Sequence, residues 1–96
     1  METRVALIAI IVENTELVSK LNSILSEYSE YIIGRMGVPY KEKGLNVISV
    51  AIDAPQSVTS AISGKIGSLS GITAKTVYAG KKQWETWLIS FIIQAI

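Results

Sequence analysis

Four stretches of the chain have the hydrophobic patterns of β-strands. Residues 3–12 (TRVALIAIIV) and 45–52 (LNVISVAI) are apolar on both alternating faces, which is typical of central strands covered on both sides. Residues 31–38 (YIIGRMGV) precede Pro39, and because proline cannot donate to a ladder, this stretch is predicted at a sheet edge or to end near Val38. Residues 72–79 are half polar and predict a last strand.

Two further stretches carry apolar residues at helical spacing. The first follows the break at residues 13–15, and its stripe is Leu17, Val18, Leu21, Ile24, Leu25 and Tyr28. The second has the stripe Val58, Ala61, Ile62, Ile66 and Leu69. Asp53 is predicted to cap this second helix, with Gln56 three residues later as in a capping box. Glycines complete the pattern: Gly44 and Gly71 suit left-handed turn positions, whereas Gly64 and Gly67 suggest close packing or an early helix end.

The order β-α-β-β-α-β predicts an α+β, ferredoxin-like domain over residues 1–80. Right-handed crossovers order the antiparallel strands 4-1-3-2 and place both helices on one face of the sheet. The other face stays apolar, so we expect it to be a subunit interface of a homodimer or homotetramer. The residues expected there are Val5, Leu7 and Ala9, or their alternate set, with Val47 of the neighbouring strand.

Residues 81–96 (KKQWETWLISFIIQAI) predict an extra C-terminal amphipathic helix. Trp84, Trp87 and Phe91 recur at helical spacing, and such an apolar face has to be buried. Packing on the sheet or on a partner subunit is the first interpretation, so these three residues join the expected interface. A membrane surface is the second, although the segment has few lysines. The third is an extension that does not belong to the native protein.

Composition excludes several classes of chemistry. The 96 residues contain neither cysteine nor histidine, which removes disulfides, zinc sites and nucleophiles activated by histidine. The net charge is only +1 and the basic residues are scattered, so a nucleic-acid surface is not indicated. The hydrophobic share of 49% without an 18-residue apolar run or a signal peptide favours a cytoplasmic oligomer over a membrane protein.

Three polar residues are candidates for ligand binding. Arg35 lies between two glycines on the predicted edge strand and could clamp a carboxylate or phosphate; the alternative is a solvated residue that discourages edge-to-edge association. Glu13 and Asn14 follow the first strand and could meet Arg35 of a neighbouring subunit around a ligand. The alternative for this pair is helix capping.

Residues 31–56 (YIIGRMGVPYKEKGLNVISVAIDAPQ) and 60–77 (SAISGKIGSLSGITAKTV) resemble the family of iron-only hydrogenase system regulators. The resemblance implies a stand-alone ACT-like domain, related in fold to the C-terminal domain of nickel-responsive repressors, and an oligomeric sensor without a DNA-binding domain. Two features depart from related families. The turn at residues 13–15 lacks the glycine usual in amino-acid-binding ACT domains, and the histidine and cysteine ligands of the nickel-responsive repressors are absent.

We therefore expect a non-enzymatic regulatory module without a cofactor. It would bind itself, and in addition a small effector or a hydrogenase-system protein at subunit junctions. The alternatives are a protein–protein interaction module without a ligand and, more weakly, a nucleic-acid-binding ferredoxin-like domain. A small ferredoxin-like enzyme lacks support because no nucleophile–base constellation is present.

Overall fold

The computed structural model describes residues 2–80, so the helix predicted around Trp84, Trp87 and Phe91 lies outside the described residues. The predicted element order is confirmed. The elements are β1 (Arg4–Val12), α1 (Val18–Glu27), β2 (Ile32–Tyr40), β3 (Leu45–Ala54), α2 (Gln56–Gly67) and β4 (Ile72–Tyr78). Short 3₁₀ turns precede α1, β2 and β3.

The four strands form one antiparallel sheet in the order β2-β3-β1-β4, which is the predicted order read from the other edge. In the middle of the sheet, Ile8 on β1 is paired with Val50 on one side and Thr76 on the other. β2 is an edge strand as predicted, and it accommodates Pro39 by pairing with β3 alone. It therefore continues to Tyr40 rather than ending at Val38.

One face of the sheet, called the inner face here, packs against both helices. The alternate residues of β1 that begin with Ala6 are fully buried there, together with the even-numbered residues of β3 from Ile48 onwards. The helices supply Leu21, Leu25, Ile62 and Ile66 to the same cluster. Burial of this apolar surface is the main driving force for the fold.

The start of α2 differs from the sequence prediction. β3 continues through Ala54, and Asp53 is an exposed strand residue paired with Val5, so its assignment as a helix cap was wrong. Pro55 holds the N-cap position, and no side chain caps the helix. The strand extends further than expected because β1 begins at Arg4 and supplies pairing partners as far as Ala54.

The predictions for the glycines were correct in part. Gly44 and Gly71 have the positive φ angles of 64° and 90° that their turns require. α2 ends at Gly67, but no heavy atom lies within 4 Å of a Cβ built at Gly64 or Gly67, so neither glycine mediates close packing.

On α2, the residue that faces the core of the domain is Thr59 rather than the predicted Ala61, since Thr59 is fully buried and Ala61 is exposed.

Candidate functional site

The face of the sheet opposite the helices, called the outer face here, is apolar and uncovered within residues 2–80. Strand pairing places every second residue of each strand on it. Leu7 is 43% exposed, Met36 68% and Val77 65%, although all three are large hydrophobic residues. The members of the outer face are Val5, Leu7, Ala9, Ile11, Gly34, Met36, Val38, Tyr40, Leu45, Val47, Ser49, Ala51, Asp53, Thr73, Lys75 and Val77.

The outer face has the size of a protein interface. Four strands about 4.8 Å apart and about nine residues long cover about 19 by 30 Å, or roughly 600 Å². Single chains rarely expose more than a few hundred Å² of contiguous apolar surface, and two such faces pressed together reach the lower limit of a standard interface. The sequence indicated this surface, with Val5, Leu7, Ala9 and Val47 as members, and the register places all four on it.

Two residues bring opposite charges to the otherwise uncharged outer face. Asp53 is a residue of β3 and is paired with Val5 of β1. Lys75 is a residue of the edge strand β4 and is paired with Ala9 of β1. Both side chains are exposed, and neither takes part in the one ion pair found within residues 2–80, between Lys65 and Glu27. The sequence did not single out these two residues, because only the strand register shows that they share a face.

Arg35 occupies a different surface. It is paired with Val50, whose side chain is buried under the helices, so Arg35 starts on the inner side of the sheet at its open β2 edge. It is exposed there, and none of the side-chain hydrogen bonds within residues 2–80 involves it. Gly34, the preceding residue, is paired with Ala51 and belongs to the outer face, so the open space at Gly34 lies on the opposite side of the sheet from the Arg35 side chain.

The structure does not bring Glu13 and Asn14 close to Arg35 within one chain. Arg35 is paired with Val50, which is in turn paired with Ile8 of β1. Glu13 is five residues beyond Ile8 in the chain, which corresponds to about 17 Å at 3.3–3.4 Å per residue. Asn14 has a structural role: its Oδ1 accepts a hydrogen bond of 3.0 Å from the backbone N–H of Glu16 and so caps the 3₁₀ turn before α1. The predicted capping is therefore observed for Asn14.

A second arginine, Arg4, was missed by sequence reasoning and has structural partners. Its Nε donates to the carbonyl of Ala79 at 2.6 Å, and its guanidinium lies 4.9 Å from the centre of the Tyr78 ring. A third, longer contact of 3.4 Å joins Nη1 to Gln56. These contacts tie the beginning of β1 to the end of β4, and Arg4 therefore stabilises the fold beside a cleft of about 370 Å³.

Two kinds of site are not found in the described part of the chain. No group of three histidine, cysteine, aspartate or glutamate side chains within residues 2–80 is placed to hold a metal ion. Over the same range, neither helix has the length and apolarity that a crossing of the bilayer requires.

The family of the chain follows from its sequence. Residues 4–76 match the model of the TM1266-like family, whose description is "Iron-only hydrogenase system regulator, putative". The chain belongs to this family. The matched residues run from the start of β1 almost to the end of β4, so family membership covers the sheet and both helices. A comparison with the curated proteins finds no match.

Solved structures agree with the family assignment. The uncharacterized protein TM1266 from Thermotoga maritima is similar, with a TM-score of 0.79 and 30% sequence identity over 82% of this chain and 100% of that one. A formyltetrahydrofolate deformylase from Pseudomonas putida KT2440 has a TM-score of 0.59 at 11% identity over 81% of this chain. The match spans only 29% of the deformylase, so this second likeness shows a shared fold alone.

Proposed function

We propose that this chain is a non-enzymatic, ACT-like regulatory module of the iron-only hydrogenase system that works as a homo-oligomer. Copies meet through the outer face. The observation that carries this proposal is the row of exposed hydrophobic side chains on a sheet whose other face is already filled by both helices. The family description supports the regulatory part of the proposal.

A second copy of the chain is the occupant that fits the outer face best. Homo-oligomers with closed symmetry are the commonest assemblies, and a two-fold interface joins the same patch on both partners. The face is about as large as one side of a small interface, roughly 600 Å² by strand spacing. Its apolar centre around Leu7 and Ala9 and its charges at Asp53 and Lys75 also match the division of an interface into an apolar core and polar surroundings.

Analytical ultracentrifugation of the purified chain tests the assembly. The wild type is expected to sediment as a dimer or tetramer at micromolar concentration, and Leu7→Asp is expected to shift it to the monomer, because a carboxylate would be buried between two apolar faces. The matched control is Asn22→Asp on the exposed side of α1, which adds the same charge away from the sheet. A wild type that stays monomeric overturns the proposed assembly.

The same proposal assigns effector binding to Arg35. Its side chain is exposed, and its guanidinium can hold a carboxylate or phosphate bidentately. Glu13 and Asn14 belong to this proposal only as residues contributed by a neighbouring subunit, since they lie far from Arg35 in their own chain. A hydrogenase-system protein with an acidic segment could be bound by the same guanidinium.

Calorimetric titration with inorganic phosphate and with succinate tests the effector site. Binding that is lost in Arg35→Gln and weakened in Arg35→Lys supports a bidentate clamp, because lysine keeps the charge but not the planar fork. The matched control is Lys20→Gln on the exposed surface of α1, which removes one positive charge elsewhere. Equal behaviour of Arg35→Gln and the wild type towards both anions would remove Arg35 from the proposal.

A further inference from the structure

We infer that Asp53 of one copy pairs with Lys75 of a second copy across a two-fold interface, and that this pairing sets how the two outer faces are oriented. The inference rests on the proposed assembly and adds its geometry. The partner is a second copy of the chain, and the two charged residues determine the specificity of the contact.

The register shows that Asp53 and Lys75 cannot meet within one chain. Asp53 is level with Val5 and Lys75 with Ala9, four residues apart on β1, or about 13 Å. β3 and β4 flank β1 on opposite sides, which adds two strand spacings, or about 10 Å. The two side chains therefore start about 16 Å apart by these strand dimensions, so neither neutralises the other in the isolated chain.

Covering the outer face creates a need for partners. When two apolar faces meet, any charged group between them loses water, and an unpaired buried charge is strongly unfavourable. Asp53 and Lys75 are the two charged residues among the members of the outer face, and their signs are opposite. A second copy supplies each of them with its complement, because a two-fold interface that brings Asp53 to Lys75 necessarily brings Lys75 to Asp53.

The position of the two-fold axis follows from the register. Because β1 lies between β3 and β4, the midpoint between Asp53 and Lys75 falls on β1, level with Leu7. The two-fold axis that exchanges Asp53 and Lys75 lies in the plane of the interface, at right angles to the line that joins these two residues. It passes over Leu7 and over Met36 on β2. The two copies then place Leu7 against Leu7, with one ion pair on each side of that contact.

This arrangement is compatible with known sheet packing. With strands about 4.8 Å apart and a rise of about 3.3 Å per residue, the axis makes the strands of the two copies cross at about 70°, close to the orthogonal class of sheet-on-sheet packing. The residues on the axis, Leu7 and Met36, are both apolar and both exposed. The contact between the copies is thus centred on hydrophobic side chains, and the charges restrict its orientation.

Two charge-reversal variants test the pairing by analytical ultracentrifugation. Asp53→Lys and Lys75→Glu each place like charges opposite one another twice in a homodimer, so each is expected to weaken self-association by on the order of tenfold or more. Glu30→Lys and Lys20→Glu, on the turn after α1 and on α1 itself, make the same charge changes on the exposed surface away from the outer face and are the matched controls.

An equimolar mixture of the two variants gives the rescue. In the mixed dimer, the lysine introduced by one variant faces the glutamate introduced by the other, and the native Lys75 of the first faces the native Asp53 of the second. Both contacts again join opposite charges, so the mixture is expected to associate within about threefold of the wild type.

Crosslinking gives a second readout of the axis. Because the chain has no cysteine, Leu7→Cys introduces a single thiol, and a short bismaleimide is expected to join two copies through it. Thr73→Cys is the control on the same face, and in this geometry its two thiols lie about 28 Å apart by strand spacing and should not be joined.

The outcomes separate the two proposals. A monomeric wild type overturns both the assembly and the pairing. Suppose instead that the wild type dimerises through the outer face, as shown by its dissociation in Leu7→Asp. If the single charge variants then associate normally, or if their mixture fails to recover, the pairing alone is overturned. Circular dichroism of each variant confirms that the comparison is made between folded chains.

Discussion

Glu13 donates its backbone N–H to the carbonyl of Gly71 over 2.8 Å and so joins the end of β1 to the turn before β4. Gly71 has a φ of 90°, and a Cβ built on it would lie 3.1 Å from Cδ1 of Leu17. The bond therefore depends on a residue without a side chain.

Gly71→Ala is expected to destabilise the chain by about 1–3 kcal/mol, because alanine is strained at positive φ and its methyl group would press on Leu17. Gly64→Ala is the matched control. It lies inside α2 with nothing within 4 Å of the added methyl, so it is expected to stabilise the chain by about 0.5–1 kcal/mol. Urea unfolding of both variants gives the comparison, and equal shifts in both would contradict the role of the turn.

Asn14 provides a test that separates capping from ligand binding. Asn14→Ala removes the acceptor for the Glu16 N–H and is expected to lower the free energy of unfolding by about 1 kcal/mol. Asn14→Asp keeps an oxygen acceptor and should retain most of the stability in urea unfolding. If Asn14→Ala leaves the unfolding curve unchanged but abolishes binding of an anion in the titrations described for Arg35, the capping role is wrong and the ligand role is supported.

Much of the fold was predictable because the continuous apolar run of β1 and the helical spacing of apolar residues in α1 are clear signals. The sequence-based prediction failed where a local sequence signal competed with strand pairing. Asp53 followed by Pro55 and Gln56 has the form of a helix start, yet the pairing of Asp53 with Val5 keeps it in β3. The same pairing exposes Asp53 on the outer face. Its role as a charged member of that face, with Lys75, was therefore hidden by the same signal that suggested a helix cap.

The candidate sites were predictable to different degrees. Two helices can cover only one face of a four-stranded sheet, so an uncovered apolar face could be predicted without knowing the strand register. Which alternate set of β1 would form it was left open, because Val5 and Leu7 are as hydrophobic as Ala6 and Ile8. The side of the sheet from which Arg35 projects could not be inferred either, since the irregular pairing between Ile32 and Gly34 changes the alternation of β2.

Thr59 is the polar residue whose burial the sequence did not indicate. It is fully buried in α2, and its Oγ1 has no hydrogen-bond partner within residues 2–80. A buried hydroxyl without a partner is unfavourable, and valine has nearly the same shape. Thr59→Val is therefore expected to stabilise the chain by about 1 kcal/mol in urea unfolding, whereas Thr59→Ser keeps the hydroxyl, removes a methyl group and should destabilise it. A destabilising Thr59→Val would show that the hydroxyl is satisfied in solution.

Lys65 links α2 to α1 and is expected to make stability depend on pH in the alkaline range. Its Nζ lies 5.0 Å from the centre of the Tyr28 ring and 3.4 Å from Oε2 of Glu27. The Tyr28 side chain first, and the Glu27 carboxylate second, raise the pKa of Lys65 above its ordinary value of 10.5. A pKa that is higher in the folded state stabilises the fold below the unfolded value, and this contribution is lost as pH rises through the folded value.

The free energy of unfolding should therefore fall more steeply above pH 10.5 in the wild type than in Lys65→Gln, which has no charge to lose at this position. The effect is expected to be small because the side chains of Lys65 and Glu27 are 49% and 61% exposed to solvent. Lys20→Gln is the control for the removal of a lysine without these neighbours, and it should keep the wild-type slope. Urea unfolding at about pH 9 and about pH 11, on either side of the ordinary lysine pKa, measures the difference. Parallel pH profiles for the wild type and Lys65→Gln would show that the contacts with Tyr28 and Glu27 do not persist in solution.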